Sequence, residues 1–107
     1  MTYTIVYALE ARLDLADLFE YNAGKRGEDF AGDYIRKIMD HCNRFDLFPK
    51  RGTLRDDIEP GLRLVGYRRK ATIAFRIDHD TVVITRVLYG GKSLGGSDDM
   101  EDDDDFF

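Results

Sequence analysis

Seven basic side chains crowd between residues 63 and 92 of this 107-residue sequence: Arg63, Arg68, Arg69, Lys70, Arg76, Arg86 and Lys92. Tyr67 and Tyr89 stand among them. Cations edged by aromatic rings would suit phosphates, RNA bases or an acidic protein partner. The same residues would equally serve as a solvated sheet face whose charges block edge pairing. The other reactive types are sparse. His41 and His79 lack a second ligand at zinc spacing, and Cys42 falls on an apolar stripe where a small core residue belongs. There is no glycine-rich phosphate loop, no serine elbow and no carboxylate pair placed for acid/base work. No catalytic residue, metal or cofactor is expected.

The elements that must position these side chains follow from hydrophobic period. From Pro60 to Leu88 three short runs are rich in Val, Ile, Leu, Phe, Tyr and Thr, broken by Gly66 and by Asp78-His79-Asp80. In the middle run Ala71, Ile73, Phe75 and Ile77 alternate with Thr72, Ala74, Arg76 and Asp78, which predicts a strand with one face on a core and Arg76 on the other. The last run, Val82 to Leu88, is apolar on both faces except for Thr85 and Arg86, which predicts a central strand. Thr2 to Tyr7 reads as a first strand.

Between them the period changes. Ala11, Leu15, Leu18, Phe19 and Asn22 form a helical stripe, with Glu10, Asp14, Asp17 and Glu20 off it. Gly24 with Lys25-Arg26 ends that helix, Gly27 opens the next, and Phe30, Tyr34, Ile38, Cys42 and Phe45 carry it to about Phe48, before Pro49. Lys50 to Glu59 reads as a polar loop. The order gives an α+β fold: an N-terminal strand, an antiparallel helical hairpin, then a three-stranded antiparallel meander, with the helices covering one side of the sheet.

Length predicts one domain, and a single cysteine fits a reducing compartment. No apolar run is long enough to span a membrane and no secretory signal is read, so a cytoplasmic protein is expected. The net charge of −5 conceals an asymmetry. Residues 1–49 carry −3, residues 50–97 carry +5, and residues 98–107 (DDMEDDDDFF) carry −7. A domain over residues 1–94 followed by an acidic tail over 95–107 is the expected organisation. The tail reads either as a solubilising end or as a segment that folds back on the basic sheet face, with Phe106 and Phe107 in an apolar recess.

Taken together, four motifs resemble the RelE/ParE toxin superfamily, most closely its ParE branch. They are Ala11, Asp14, Leu15, Leu18 and Tyr21 (A-x-x-D-L-x-x-L-x-x-Y), the Phe48-Pro49-x-x-Gly52 loop, the Pro60-Gly61-Leu62-Arg63 turn, and the ending Ile84-Thr85-Arg86-Val87-Leu88. The resemblance implies the toxin half of a type II toxin–antitoxin pair, neutralised by a ParD-type antitoxin. It also implies a stoichiometric inhibitor of DNA gyrase, which would need no catalytic residue of its own. Target contacts would then be Arg63, Tyr67, Arg76, Arg86, Tyr89 and Lys92. Antitoxin contacts would be Leu9, Leu13 and Ala16, with Arg63; those three helical residues, which the first stripe leaves free, read equally as completing a wide core stripe. Neither membrane binding nor sequence-specific DNA binding by this chain alone is expected. RelE-like members instead cut mRNA on the ribosome. Here Arg63 matches one of their arginines, but the position of a second falls near Gly90. Tyr89 and Lys92 replace the His and Arg common after the last strand of ParE-like chains. A ribosome-dependent endoribonuclease and a non-toxic antitoxin-binding module are the alternative readings.

Overall fold

A computed structural model describes residues 2–68 and 71–89, together with the backbone of Glu101–Asp102. Arg69, Lys70, Gly90, Lys92, Phe106 and Phe107, all singled out in the sequence, lie outside the described residues. Strand β1 (Thr4–Tyr7) leads through Ala8 into helix α1 (Leu9–Arg26). Gly27, at φ 91°, is the whole joint to helix α2 (Glu28–Asn43). A left-handed φ is readily available only to glycine, so one residue can reverse the chain here. Glu28 and Asp29 then sit in the first turn of α2, where the helix dipole favours carboxylates.

The stripe of α2 predicts helix to about Phe48, but the α-helix stops at Asn43 and a 3₁₀ turn covers Arg44–Asp46. The reason is tertiary. The Tyr3 N–H donates to the Asp46 carbonyl at 2.9 Å, tying the start of β1 to this turn while Phe45 is driven fully into the core. Leu47 and Phe48 emerge on the surface instead of extending the stripe. Within the predicted polar loop there is a two-residue strand, β2 (Thr53–Leu54). It is too short to leave a periodic signal.

Strands β3 (Arg63–Tyr67), β4 (Ala71–Asp78) and β5 (Thr81–Tyr89) form the expected antiparallel meander. The sheet order is β1-β5-β4-β3-β2, with β1 parallel to β5, so β5 is central as its composition predicts. A further pair, β6 (Glu101–Asp102), runs parallel to β3. In β4–β5 the register pairs Ala74 with Arg86 but Phe75 with Ile84, leaving Thr85 as the extra residue of a β-bulge. Thr85 Oγ1 donates to the Ala74 carbonyl at 3.0 Å across this irregularity. The bulge explains why the last run looked apolar on both faces. Val82 and Ile84 face the core before it and Val87 after it, a switch from even to odd positions.

That core lies between the helices and one face of the sheet, built from Ala11, Leu15, Leu18, Ile38, Cys42 and Phe45 against Val65, Ile73, Phe75, Val82, Ile84 and Val87. Phe45 and Phe75 stack at 4.9 Å between ring centres. The opposite face is not bare. Ile58, from the segment joining β2 to β3, covers Leu62, Leu64 and Ala74 there, so Ala74 is buried although it alternates away from the main core. Arg76 lies half-buried on that same side of β4.

Candidate functional site

Two of the four sequence motifs meet face to face. In α1, Asp14 sits one turn before Leu18 and two turns before Tyr21, so all three project from one side of the helix. Leu18 and the neighbouring Ala11 and Leu15 enter the core, while Asp14 and Tyr21 reach the end of β5. Asp14 accepts two hydrogen bonds from the Arg86 guanidinium, Nε to Oδ2 at 2.7 Å and one terminal nitrogen to Oδ1 at 3.0 Å. It accepts a third from the Val87 backbone N–H at 2.9 Å. One turn of chain beyond, Tyr21 and Tyr89 pack with ring centres 5.7 Å apart, and the Lys25 ammonium lies 4.7 Å from the Tyr21 ring centre.

This arrangement corrects the expectation for Asp14, which the helical stripe places among solvent-facing acids. Its side chain is only 12% exposed. The need for it is visible in the sheet. β1 ends at Tyr7, and the Ala8 N–H makes the next bond to the Ile84 carbonyl at 2.9 Å. Beyond that point β5 continues without β1, and a buried N–H there must find another acceptor. Asp14 provides it, and the same carboxylate holds Arg86 in a bidentate, charge-assisted geometry. The hydrogen bond and the charge of Asp14 push the Arg86 pKa up, so the guanidinium keeps its charge.

The six side chains expected to contact a target do not form one patch. Arg86 and Tyr89 line the α1–β5 seam. Arg63 is half-buried at the start of β3 and donates to the Arg51 carbonyl at 3.4 Å. Arg76 is on the helix-free side of β4, and Lys92 lies outside the described residues. Tyr67 was expected to line an open sheet surface with Arg63; the structure overturns this. It is 4% exposed, packs 5.0 Å from the His41 ring, and its hydroxyl accepts a hydrogen bond from Arg68 Nε at 3.2 Å. Odd positions of β3 face the helices, so Val65 and Tyr67 are core residues.

The side chains expected to meet an antitoxin are presented otherwise. Leu9, Leu13 and Ala16 are exposed along the outer side of α1, Leu9 at 61% and Leu13 at 56%. Such large aliphatic groups left in water at the spacing of successive helical turns form an apolar stripe separate from the one that enters the core.

The remaining motifs set backbone turns. Gly52, at φ 75°, lies so close to the Leu64 carbonyl that a Cβ would collide with it. The Gly61 N–H donates to Asp56 Oδ1 at 2.8 Å in the turn that launches β3. Cys42 is fully buried, and burial pushes its thiol up to about 12, so it is no nucleophile at neutral pH. Burial likewise raises the Tyr7 hydroxyl, which donates to Asn43 Oδ1 at 3.0 Å. Among the described residues the seam is built of charge pairing and ring packing.

No helix among the described residues is long and apolar enough to cross a membrane. The family model described as the ParE toxin of the parDE type II toxin–antitoxin system matches residues 5–94. Toxin ParE3 of Caulobacter vibrioides is 30% identical over 81 residues, covering 76% of this chain and 80% of that protein. Among solved structures, the chromosomal ParDE toxin–antitoxin system from P. aeruginosa matches with a TM-score of 0.72 at 18% identity, covering 81% of this chain and 95% of that one. The chain belongs to the ParE toxin family of type II toxin–antitoxin systems.

Proposed function

We propose that this ParE-family toxin is held inactive by a ParD-type antitoxin lying over the outer side of α1, and that the freed chain inhibits DNA gyrase by stoichiometric binding. The exposure of Leu9, Leu13 and Ala16 carries the first half. An amphipathic partner segment burying that stripe would gain hydrophobic free energy that the monomer leaves unused. The resemblance of the fold to a ParDE system supports a partner of that kind. Arg63, at the start of β3, is a second candidate antitoxin contact.

Gyrase as the target rests on the family. Tyr89 at the end of β5, Lys92 beyond the described residues, and Arg63 and Arg76 as outlying cations are the contact candidates. Arg86, whose side chain is 38% exposed while it grips Asp14, is a further contact candidate. The protein would work in the cytoplasm, where gyrase is found.

The decisive assay incubates the purified chain with gyrase, ATP and supercoiled plasmid, then releases trapped DNA with detergent and protease. Linear DNA is the expected product. Its absence, with transcripts cut on translating ribosomes and activity lost in Arg63→Ala, would establish the endoribonuclease reading instead. Absence of both would leave an antitoxin-binding module. For the antitoxin, Leu13→Asp is expected to weaken binding by roughly tenfold or more in calorimetry while changing unfolding free energy by less than ~0.5 kcal/mol.

A further inference from the structure

The seven carboxylates between Asp98 and Asp105 have no part in the toxin reading, yet the backbone of two of these residues has a place in the sheet. β3 has two margins. One is paired with β4 along its whole length, from Arg63 opposite Phe75 to Tyr67 opposite Ala71. The other is paired with β2 only at Arg63 and Leu64. The next two residues on that margin, Val65 and Gly66, are opposite Glu101 and Asp102 of β6, in parallel. β2 and β6 thus lie in succession along one edge. Gly66 is buried, and a glycine inside a strand admits the close approach of a second backbone.

Charge favours the same placement. Arg63 and Arg68 bracket the paired residues of β3, and Arg51 and Arg55 bracket β2 on the same margin. Arg63 and Arg68 therefore lie two residues to either side of the point where the acidic segment pairs, while Arg55, at the far end of β2, is held by Asp57. An unpaired strand edge is a template for strands of other chains, and proteins block such edges by covering them.

We propose that the acidic C-terminal segment is an in-cis strand that closes the β3 edge at Val65–Gly66 against strand addition by other chains, and that its hold is set by ionic strength. A two-residue strand contributes little on its own, because its few backbone bonds are offset by the entropy of ordering it and of closing the eleven residues between Tyr89 and Glu101. Attraction between the acidic run and the arginine-lined margin tips the balance, and salt screens exposed charges over about 10 Å at 0.1 M. The edge is consequently closed at low salt and available at high salt. This holds whichever target the toxin engages.

Amide hydrogen exchange read by mass spectrometry over the peptide spanning residues 63–68 tests it, in the full chain, in a chain ending at residue 96, and in Asp102→Pro. The proline variant keeps almost all the tail's charge but loses the N–H and the free φ that a strand needs. At about 20 mM salt both altered chains are expected to exchange roughly tenfold faster there than the full chain, with β4 and β5 unchanged. Raising salt to about 0.5 M should bring the full chain to the rate of the other two. A synthetic peptide of residues 97–107 added to the shortened chain should restore protection. Equal exchange in all three chains at low salt would overturn the proposal. So would an increase spread evenly over β4 and β5, which would mean general loosening, not an opened edge.

Discussion

The sheet closes its two exposed margins by opposite means. On the β5 side, where β1 runs out, a carboxylate from α1 takes the Val87 N–H and an arginine together, across more than 70 residues of sequence. On the β3 side, two short strands, β2 and β6, supply backbone groups. The first closure is buried and ionic, and its three hydrogen bonds fail together. The second is assembled from two separate pieces of chain. A single small sheet thus closes one margin with a side chain and the other with backbone.

Substitutions separate the two. Asp14→Ala should have the largest effect, about 3–5 kcal/mol in urea unfolding, because it strands a guanidinium and a backbone N–H at once. Arg86→Ala should cost less, since its side chain is 38% exposed and Asp14 keeps the Val87 N–H. Equal losses would mean that the ion pair, and not the edge, is what Asp14 serves. Gly52→Ala should cost about 1–3 kcal/mol through its left-handed backbone and the collision with the Leu64 carbonyl, loosening β2 from β3. Ending the chain at residue 96 should change global stability by less than ~0.5 kcal/mol in a thermal melt.

Cys42 reports on the first margin without altering it. Its thiol should resist alkylation at pH 8 in the native chain and in the 1–96 chain, and react faster in Asp14→Ala. The linked pH dependence has a definite sign. An unfolded thiol loses its proton near ~8.5, whereas the folded one holds it to about 12. Its contribution to stability is therefore complete below the unfolded value and declines as pH rises from there toward the folded one.

Period and composition made the helices, the meander and the central place of β5 legible, since each rests on apolar residues repeated at 3.6 or 2. The exposed Leu9–Leu13–Ala16 stripe was legible for the same reason: it is what the core stripe leaves over. Tyr67 was misplaced because a short strand with a glycine in it gives no clear parity, and its ring is claimed by His41 and the helices. Asp14 was misread because its partners, Arg86 and Val87, are fixed only by tertiary contact. The motif containing it and Tyr21 was nevertheless noticed as a pattern, and the structure gives that pattern its meaning as one half of the α1–β5 seam. The end of α2 was overestimated because nothing local announces that Tyr3 claims the Asp46 carbonyl.

The pairing of β1 with β5 also bears on when this protein comes into being. Thr4 lies beside Thr81, so the first strand made finds its place in the sheet only after the last strand of the meander exists. Contacts this distant are closed late and slowly. During synthesis the helical hairpin can form, but the seam that positions Arg86 and Tyr89 must wait for nearly the whole domain. The side chains of that seam are thereby withheld from the nascent chain until β5 has been made.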